Sequence, residues 1–213
     1  MIKPRNRYRL RTEQTESFVV FVGEEPIVRE RLMALKNHDS SIYCHSCRTA
    51  LLAVDLGFEN KLDNEALTKL CRASLGHDLG KLGTPLNVLN KKGKLTGLER
   101  RLMEFHSVLG AYLAEDLGED VRDLILGSHE YQDGAYPRNG GERRKQLRGT
   151  DRRDRKEEWF LESAQILAVA DQYDSLTQPR PYKGRMGRGE AAKIMLEQLK
   201  GVNLKYVRQV ALR

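Results

Sequence analysis

The chain has 213 residues, 39% of them hydrophobic and 31% charged, with a formal net charge of +7. This length and this proportion of hydrophobic to charged residues fit one domain that buries its own core. No apolar run approaches the roughly 20 residues that cross a bilayer, no signal-peptide core follows the basic amino terminus, and three cysteines are too few for a disulfide framework. These features exclude a membrane-spanning, secreted or disulfide-stapled protein, so we expect a cytoplasmic protein with reduced thiols.

Two segments carry the excess positive charge. Residues 1–12 hold five basic side chains and no acid, and residues 138–158 hold nine basic and five acidic side chains. A basic balance favours anionic ligands such as nucleotides. Because the second segment mixes both signs, a solvated, mobile insertion is favoured there, and nucleic acid is not expected as a partner.

The first predicted element is a short strand at residues 17–23, SFVVFVG, whose side chains are β-branched and aromatic. The YRLRT segment before it is a candidate pairing strand. Pro26 is typical of the first turn of a helix that runs to about Asn37. Helical periodicity dominates the rest of the chain and predicts further helices at 43–57, 64–78, 97–117, 119–131, 160–177 and 189–199.

Local signals place two boundaries among these elements. Thr96 and Glu99 have the spacing of a capping box, which fixes the start of the helix at 97. Glycines and prolines between 80 and 97 indicate a loop. Cys44 and Cys47 form a C-x-x-C pair, but no second pair or matching histidine pair accompanies it, so two small side chains on a helix are favoured over a zinc or redox site.

Four of the five histidines lie on apolar faces of the predicted helices. His106 follows Leu102 by four residues and precedes Leu109 by three, so its side chain points inward. Asp171 ends the apolar run AQILAVA, where an unpaired carboxylate would be costly to bury. The same helical arithmetic places four further residues on inward faces: His45, His77, Asp78 and His129.

These inward polar groups indicate a metal centre. One inward histidine is usually a hydrogen-bonded core residue, but four of them with two aspartates favour ligation. Imidazole and carboxylate together suit iron, manganese or zinc, and a carboxylate can bridge two ions. A helical bundle is a natural host for such a centre.

The ordered set of histidines and aspartates resembles the HD superfamily of metal-dependent phosphohydrolases. The neighbouring residues resemble its HD-GYP branch, whose members hydrolyse the bacterial second messenger cyclic di-GMP. The resemblance covers roughly residues 38–200. Five segments carry it, in order: HSCR (45–48), HDLGK (77–81), HSVLGA (106–111), SHEYQDGAYP (128–137) and VADQYDSLTQPRPYK (169–183).

The resemblance implies an all-α fold, an HD-domain helical bundle, to which the residue patterns add a short N-terminal β segment. The expected division is a basic N-terminal segment at 1–37 and a catalytic domain at 38–213 with a charged insertion at about 138–158. Two divalent metal ions are implied, with iron or manganese preferred. One ion would be held by His45, His77, Asp78 and Asp171, and the other by Asp78, His106 and His129.

Further roles are implied for residues near these ligands. Asp78 and Lys81 are the expected catalytic residues, although a lysine in that position is equally explained by the helix dipole when the resemblance is set aside. Arg180 would hold a phosphate or brace its loop through a salt bridge. The full expected substrate-binding set is Lys81, Asp133, Gly134, Tyr136 and Arg180.

The chain departs from the branch at three positions. Ser128 stands where the branch has the first of two adjacent histidines, and Ala135 replaces the glycine of the Gly-Tyr-Pro triplet. Ser41 stands where some members carry a glutamate that binds a third metal. We therefore expect a weakened second metal site, completed by water, phosphate or the serine hydroxyl, and no third site.

Three functions remain open on the sequence. The first is a phosphodiesterase that opens cyclic di-GMP to pGpG, with GMP as a further product, and the DGAYP and RPYK segments favour it. The second is a mixed-valent di-iron oxygenase of the same superfamily. The third is a catalytically degenerate module for nucleotide sensing or protein contact, which Ser128 and Ala135 favour and the retained ligands oppose. A cyclic dinucleotide is the expected small-molecule partner. A homodimer through the apolar face of the N-terminal strand, or a signalling protein, is the candidate protein partner.

Overall fold

The computed structural model describes residues 4–137, 155–178 and 186–212. Within these ranges every regular element is helical, and the β-type pairing is limited to one isolated antiparallel bridge between Gln132 and Leu199. The predicted all-α helical bundle is therefore confirmed. The helices are α1 (Pro4–Gly23), α2 (Pro26–His38), α3 (Ser40–Glu59), α4 (Asn64–Gly76), α5 (Leu86–Leu89), α6 (Gly97–Glu104), α7 (His106–Leu113), α8 (Glu119–Leu126), α9 (Arg155–Thr177), α10 (Arg188–Gln198) and α11 (Leu204–Ala211), with 3-10 turns at Leu79–Gly83 and Glu115–Leu117.

The predicted N-terminal strand is wrong, because SFVVFVG forms the last turns of α1. Val19 and Val22 are buried, whereas Val20 and Phe21 are 63% and 73% exposed. Buried positions that are three residues apart share one face of a helix, whereas a strand would bury alternate residues. The preference of β-branched residues for strands is weak, and packing of α1 against α3 and α4 overrides it. The strand that was expected to offer a dimer surface is therefore absent from this segment.

Several helix boundaries differ from the prediction. The single helix expected at 97–117 is divided into α6, α7 and a 3-10 turn, α8 ends at Leu126, α9 begins at Arg155, and α11 was not predicted. The capping box is confirmed: Thr96 Oγ1 accepts a hydrogen bond from the Glu99 backbone N–H at 3.3 Å, and the Glu99 carboxylate accepts one from the Thr96 N–H at 2.7 Å. Residues 138–154 of the insertion expected at about 138–158 lie outside the described residues, and its last four residues form the first turn of α9 instead.

The centre of the bundle is formed by α3, α4 and α9, with α3 packed against both of the others. Leu56, Leu70 and Leu167, one from each helix, are fully buried. Burial of each such leucine contributes about 1.5–3 kcal/mol relative to exposure. The same packing brings the inward polar residues of α3 and α9 to the end of α4, where His77 follows.

A close backbone approach joins the 3-10 turn after α4 to the start of α7. A Cβ at Gly80 would lie 1.8 Å from the His106 carbonyl oxygen and 2.6 Å from the Gly110 nitrogen. Only glycine permits this contact, which places His106 beside Asp78.

Among the described helices, none combines the length and apolar character needed to span a membrane.

Candidate metal centre

Three side chains and one carboxylate oxygen form the first half of the centre, which we define as His45, His77, Asp171 and Asp78 Oδ2. His45 Nε2 lies 3.0 Å from Asp171 Oδ1 and 3.3 Å from His77 Nε2. Asp78 Oδ2 lies 3.8 Å from His45 Nε2 and 3.6 Å from His77 Nε2. Helices α3 and α9 and the end of α4 thus direct four potential ligand atoms at one point.

The second half of the centre consists of His106, His129 and Asp78 Oδ1. The Nε2 atoms of His106 and His129 are 3.0 Å apart, and Asp78 Oδ1 lies 3.6 Å from His106 Nε2. Asp171 Oδ2 lies 3.9 Å from His129 Nδ1. The two oxygens of Asp78 therefore face different groups of histidines, as a bridging carboxylate would.

The spacing and burial of these atoms fit metal ions. Ligand atoms about 2.0–2.2 Å from an ion lie roughly 3–3.5 Å from one another, close to the separations in both halves. Asp78 Oδ1 is buried and has no hydrogen-bond donor among the described residues. An uncompensated carboxylate oxygen is costly at such a position, and a cation between the halves would remove that cost.

The histidine rings are oriented by acceptors on their Nδ1 side. His45 Nδ1 donates to Asp174 Oδ2 at 2.8 Å, His77 Nδ1 to the Ser74 carbonyl at 2.8 Å, and His106 Nδ1 to the Met103 carbonyl at 2.6 Å. Each bond leaves Nε2 facing the centre, which is how proteins fix the ligating tautomer.

His129 is held differently from the other three rings. Its Nδ1 is buried without a hydrogen-bond partner among the described residues. Instead, its ring stacks on Tyr136, with centroids 4.8 Å apart and planes 22° from parallel. The neighbouring Ser128 hydroxyl is also buried and unpartnered in the described part of the chain. Of the four rings, His129 is therefore the one that is oriented by stacking rather than by a hydrogen bond at Nδ1 among the described residues.

The two halves also differ in charge without metal. Burial would lower the pKa of His45, but hydrogen bonds to Asp171 and Asp174 outweigh this and raise the pKa to about 9. Burial lowers the pKa of His106 to about 3, and it also lowers the pKa of His129. At neutral pH the second half therefore presents uncharged imidazoles, the form that binds metal.

Lys81 lies at the junction of the two halves. Its Nζ donates to Asp78 Oδ2 at 2.7 Å. Burial would raise the pKa of Asp78, but the Lys81 ammonium and the surrounding histidines hold that pKa well below its usual range. Asp78 is consequently ionised at neutral pH, as a bridging ligand must be.

A cavity of about 430 Å³ opens beside the first half, and its lining includes His45, Asp78 and Lys81. Asp133 and Gly134 do not line this cavity; both are exposed, and the Asp133 N–H donates to the Gln198 carbonyl at 2.8 Å. Gly134 has a φ of +76°, which suits a glycine turn. The expected substrate residue Arg180 lies outside the described residues.

Two residues at the centre were missed by the sequence reasoning. Asp174 bonds His45, and Arg48 donates to both oxygens of Asp174, from Nε at 2.7 Å and Nη2 at 2.9 Å. Their signal was present in the sequence, because each follows a predicted ligand by three residues on the same helix face: Arg48 follows His45, and Asp174 follows Asp171.

A protein-family model described as the HD domain matches residues 28–201. The chain belongs to the HD domain family. This confirms the resemblance drawn from the five ordered segments and makes the chain a relative of the family's phosphohydrolases.

The curated relatives that the chain matches include phosphodiesterases named for cyclic dinucleotides. The chain is 32% identical over 170 residues to a cyclic di-GMP phosphodiesterase of Pseudomonas aeruginosa, covering 78% of this chain and 37% of the relative. It is 34% identical over 158 residues to the 3'3'-cGAMP-specific phosphodiesterase 1 of Vibrio cholerae, covering 73% and 33%. A cyclic di-GMP phosphodiesterase of Thermotoga maritima is 28% identical over 174 residues, covering 79% and 43%. The chain thus spans about a third to two fifths of the length of these relatives.

Proposed function

We propose that this chain is a metal-dependent phosphodiesterase that hydrolyses cyclic di-GMP to pGpG, with GMP as the product of a further step. The observation that carries the proposal is the placement of Asp78, whose two oxygens face two separate groups of histidines. A carboxylate in that position serves a pair of cations, and paired cations suit phosphodiester hydrolysis.

The donor set indicates which residues would hold two divalent ions, with iron or manganese preferred. His45, His77 and Asp171 would hold one, His106 and His129 the other, and Asp78 would contact both. Such a pair supplies a hydroxide nucleophile at neutral pH and stabilises charge on the phosphodiester oxygens. The imidazole and carboxylate donors do not choose between the two metals.

Lys81 and Asp78 are the proposed catalytic residues. The Lys81 ammonium lies beside the Asp78 carboxylate and lines the cavity, so it can meet negative charge that develops on a phosphate. Tyr136, Asp133 and Gly134 lie outside the lining of this cavity and are proposed to bind substrate from the loop after His129, and Arg180 is proposed to bind phosphate.

The relatives support a cyclic dinucleotide substrate and suggest a second candidate. Relatives named for cyclic di-GMP and two named as specific for 3'3'-cGAMP match at similar identity. The purine at one position is what distinguishes these two molecules. Both should therefore be offered to the protein, alone and in competition.

We extend the proposal to the location of the chain, its division into domains and its protein partners. Cys44, Cys47 and Cys71 are free thiols, which suits a reducing cytoplasm. We propose a division into residues 1–37 and a catalytic unit at 38–213. A second copy of the chain or a signalling protein is the proposed protein partner.

The decisive experiment loads the protein with iron or manganese under low oxygen and follows cyclic di-GMP and 3'3'-cGAMP by chromatography. Asp78→Ala is the test variant, and Asp123→Ala, on the solvent side of α8, is the matched control. We expect conversion to the linear dinucleotide by the wild type and the control but not by Asp78→Ala.

The other outcomes separate the remaining functions. Two bound metals per chain without hydrolysis of either dinucleotide would overturn the proposal, and oxygen consumption by the iron form would then indicate the oxygenase. Less than one bound metal per chain, with no turnover, would indicate the degenerate sensing or interaction module.

A further inference from the structure

Asp174 and Arg48 form an ion pair on the Nδ1 side of the His45 ring, in which the carboxylate is buried and the Arg48 side chain is 38% exposed. Asp174 accepts from His45 Nδ1 at 2.8 Å, and its side chain is only 3% exposed. Arg48 donates two hydrogen bonds to the same carboxylate, at 2.7 and 2.9 Å. A buried carboxylate needs such compensation, because its charge is otherwise costly to desolvate.

The pair repeats the ligand contact one helical turn along. On α3, Arg48 follows His45 by three residues, and on α9, Asp174 follows Asp171 by three residues. Residues three apart are neighbours on one helix face. The packing of α3 against α9 therefore makes two rungs: a ligand rung of His45 and Asp171, and a supporting rung of Arg48 and Asp174.

Among the described ligands, His45 differs from His77 and His106 in what fixes its ring. Those two histidines donate to backbone carbonyls, which no side-chain substitution removes. His45 depends on the Asp174 side chain. This dependence makes the orientation of His45 separately testable.

We propose that Asp174, held in place by Arg48, is a positioning residue for the first half of the metal centre. It keeps the proton of His45 on Nδ1, directs Nε2 toward the ion, and increases the basicity of the ring as a ligand. The inference rests on the proposed metal centre and goes beyond it, since neither residue is itself a ligand.

The test measures metal binding rather than hydrolysis. Manganese binding to the metal-free full chain is followed by equilibrium dialysis with metal analysis, and the electron paramagnetic resonance signal of free Mn²⁺ is read in parallel. The variants are Asp174→Ala, Asp174→Asn and Arg48→Met. Asp116→Ala, which breaks the exposed Asp116–Arg31 pair, is the matched control.

We expect Asp174→Ala to weaken one of the two manganese sites by roughly 10- to 100-fold. Asp174→Asn should weaken it less, because the amide oxygen can still accept from Nδ1. Arg48→Met should also lower the manganese affinity of this site, and the control should bind manganese like the wild type. Circular dichroism of the metal-free variants checks that each retains the helical fold, and Asp174→Asn carries the test if the alanine variant does not fold.

Three results would overturn all or part of the inference. Wild-type affinity at both sites in folded Asp174→Ala would remove the positioning role. Wild-type metal affinity in Arg48→Met would remove Arg48 from the inference, and a raised KM of this variant in the dinucleotide assay described above would make it a substrate contact instead. A wild-type chain that binds no manganese would remove the metal centre and the inference together. Two bound ions without dinucleotide hydrolysis would overturn only the proposed function.

Discussion

The two halves of the candidate centre are built from different kinds of structure. The first half is carried mainly by α3 and α9, helices of 20 and 23 residues that pack through the middle of the bundle. The second half is carried by α7 and by the turn that follows α8. Both of these helices have eight residues. Short helices contribute little stability of their own, so the second half depends more on individual contacts.

The halves also differ in what holds their side chains. The first contains ionised groups locked by charge-assisted hydrogen bonds, including the rung of Arg48 and Asp174. The second contains neutral imidazoles, one of them held by stacking on Tyr136. We therefore expect the first half to be organised before an ion arrives and the second half to gain order when its ion binds. The two ions should therefore bind with different affinities.

The largest difference is expected from removing one histidine of each half in the metal-free protein. His45→Ala leaves Asp171 without its close partner in the interior, so the free energy of unfolding should fall by about 3 kcal/mol. His129→Ala loses mainly the stack on Tyr136 and should lose about 1 kcal/mol. Urea denaturation of both variants measures the difference. Equal losses would contradict the asymmetry.

The next effect concerns the contact that joins the halves. Gly80→Ala would place a methyl group against the His106 carbonyl oxygen, so the 3-10 turn and α7 must separate. We expect a loss of about 1–3 kcal/mol in unfolding free energy and weaker metal binding in the second half. Gly189→Ala, where an added Cβ meets nothing within 4 Å, is the control and should stabilise α10 slightly. Equal behaviour of the two variants would show that close approach at Gly80 is unnecessary.

A smaller effect is expected where stacking alone orients a ligand. Tyr136→Leu removes the aromatic face against His129 and should weaken the second metal site by about two- to tenfold, since such pairs contribute about 0.5–1.5 kcal/mol. Tyr136→Phe keeps the ring and should bind metal like the wild type. Competition with a metal-sensitive dye measures both. Loss of affinity in the phenylalanine variant would transfer the role to the hydroxyl group.

The smallest effect concerns the helix that leads into the second half. Hydrogen bonds from Lys91 and the Thr96 backbone lower the pKa of Glu99 from 4.5 to about 2. A lowered folded-state pKa stabilises above the unfolded value, so this contribution is present above about pH 4.5 and is lost as the pH falls toward 2. The melting temperature of Glu99→Gln should therefore lie below that of the wild type at pH 7, with the gap narrowing at pH 3. A gap that does not change with pH would contradict this assignment.

The site was more predictable than the fold details around it. Helical periodicity identified His45, His77, Asp78, His106 and His129 as inward, because burying a polar group on an apolar stripe leaves a visible mark in the sequence. The N-terminal strand was predicted wrongly, since short β-branched runs fit a strand or a buried helix face equally well. Helix α9 was predicted but its start was not, since its first turn is as charged as the segment before it.

The sequence by itself determined which polar residues are inward, that they are imidazoles and carboxylates, and which family carries them in this order. Only the tertiary structure decided which atoms meet. His45 and Asp174 are 129 positions apart, and local periodicity carries no information about which faces of two distant helices pack together. The division of Asp78 between the halves, the supporting role of Arg48 and the contact at Gly80 all arise from that packing.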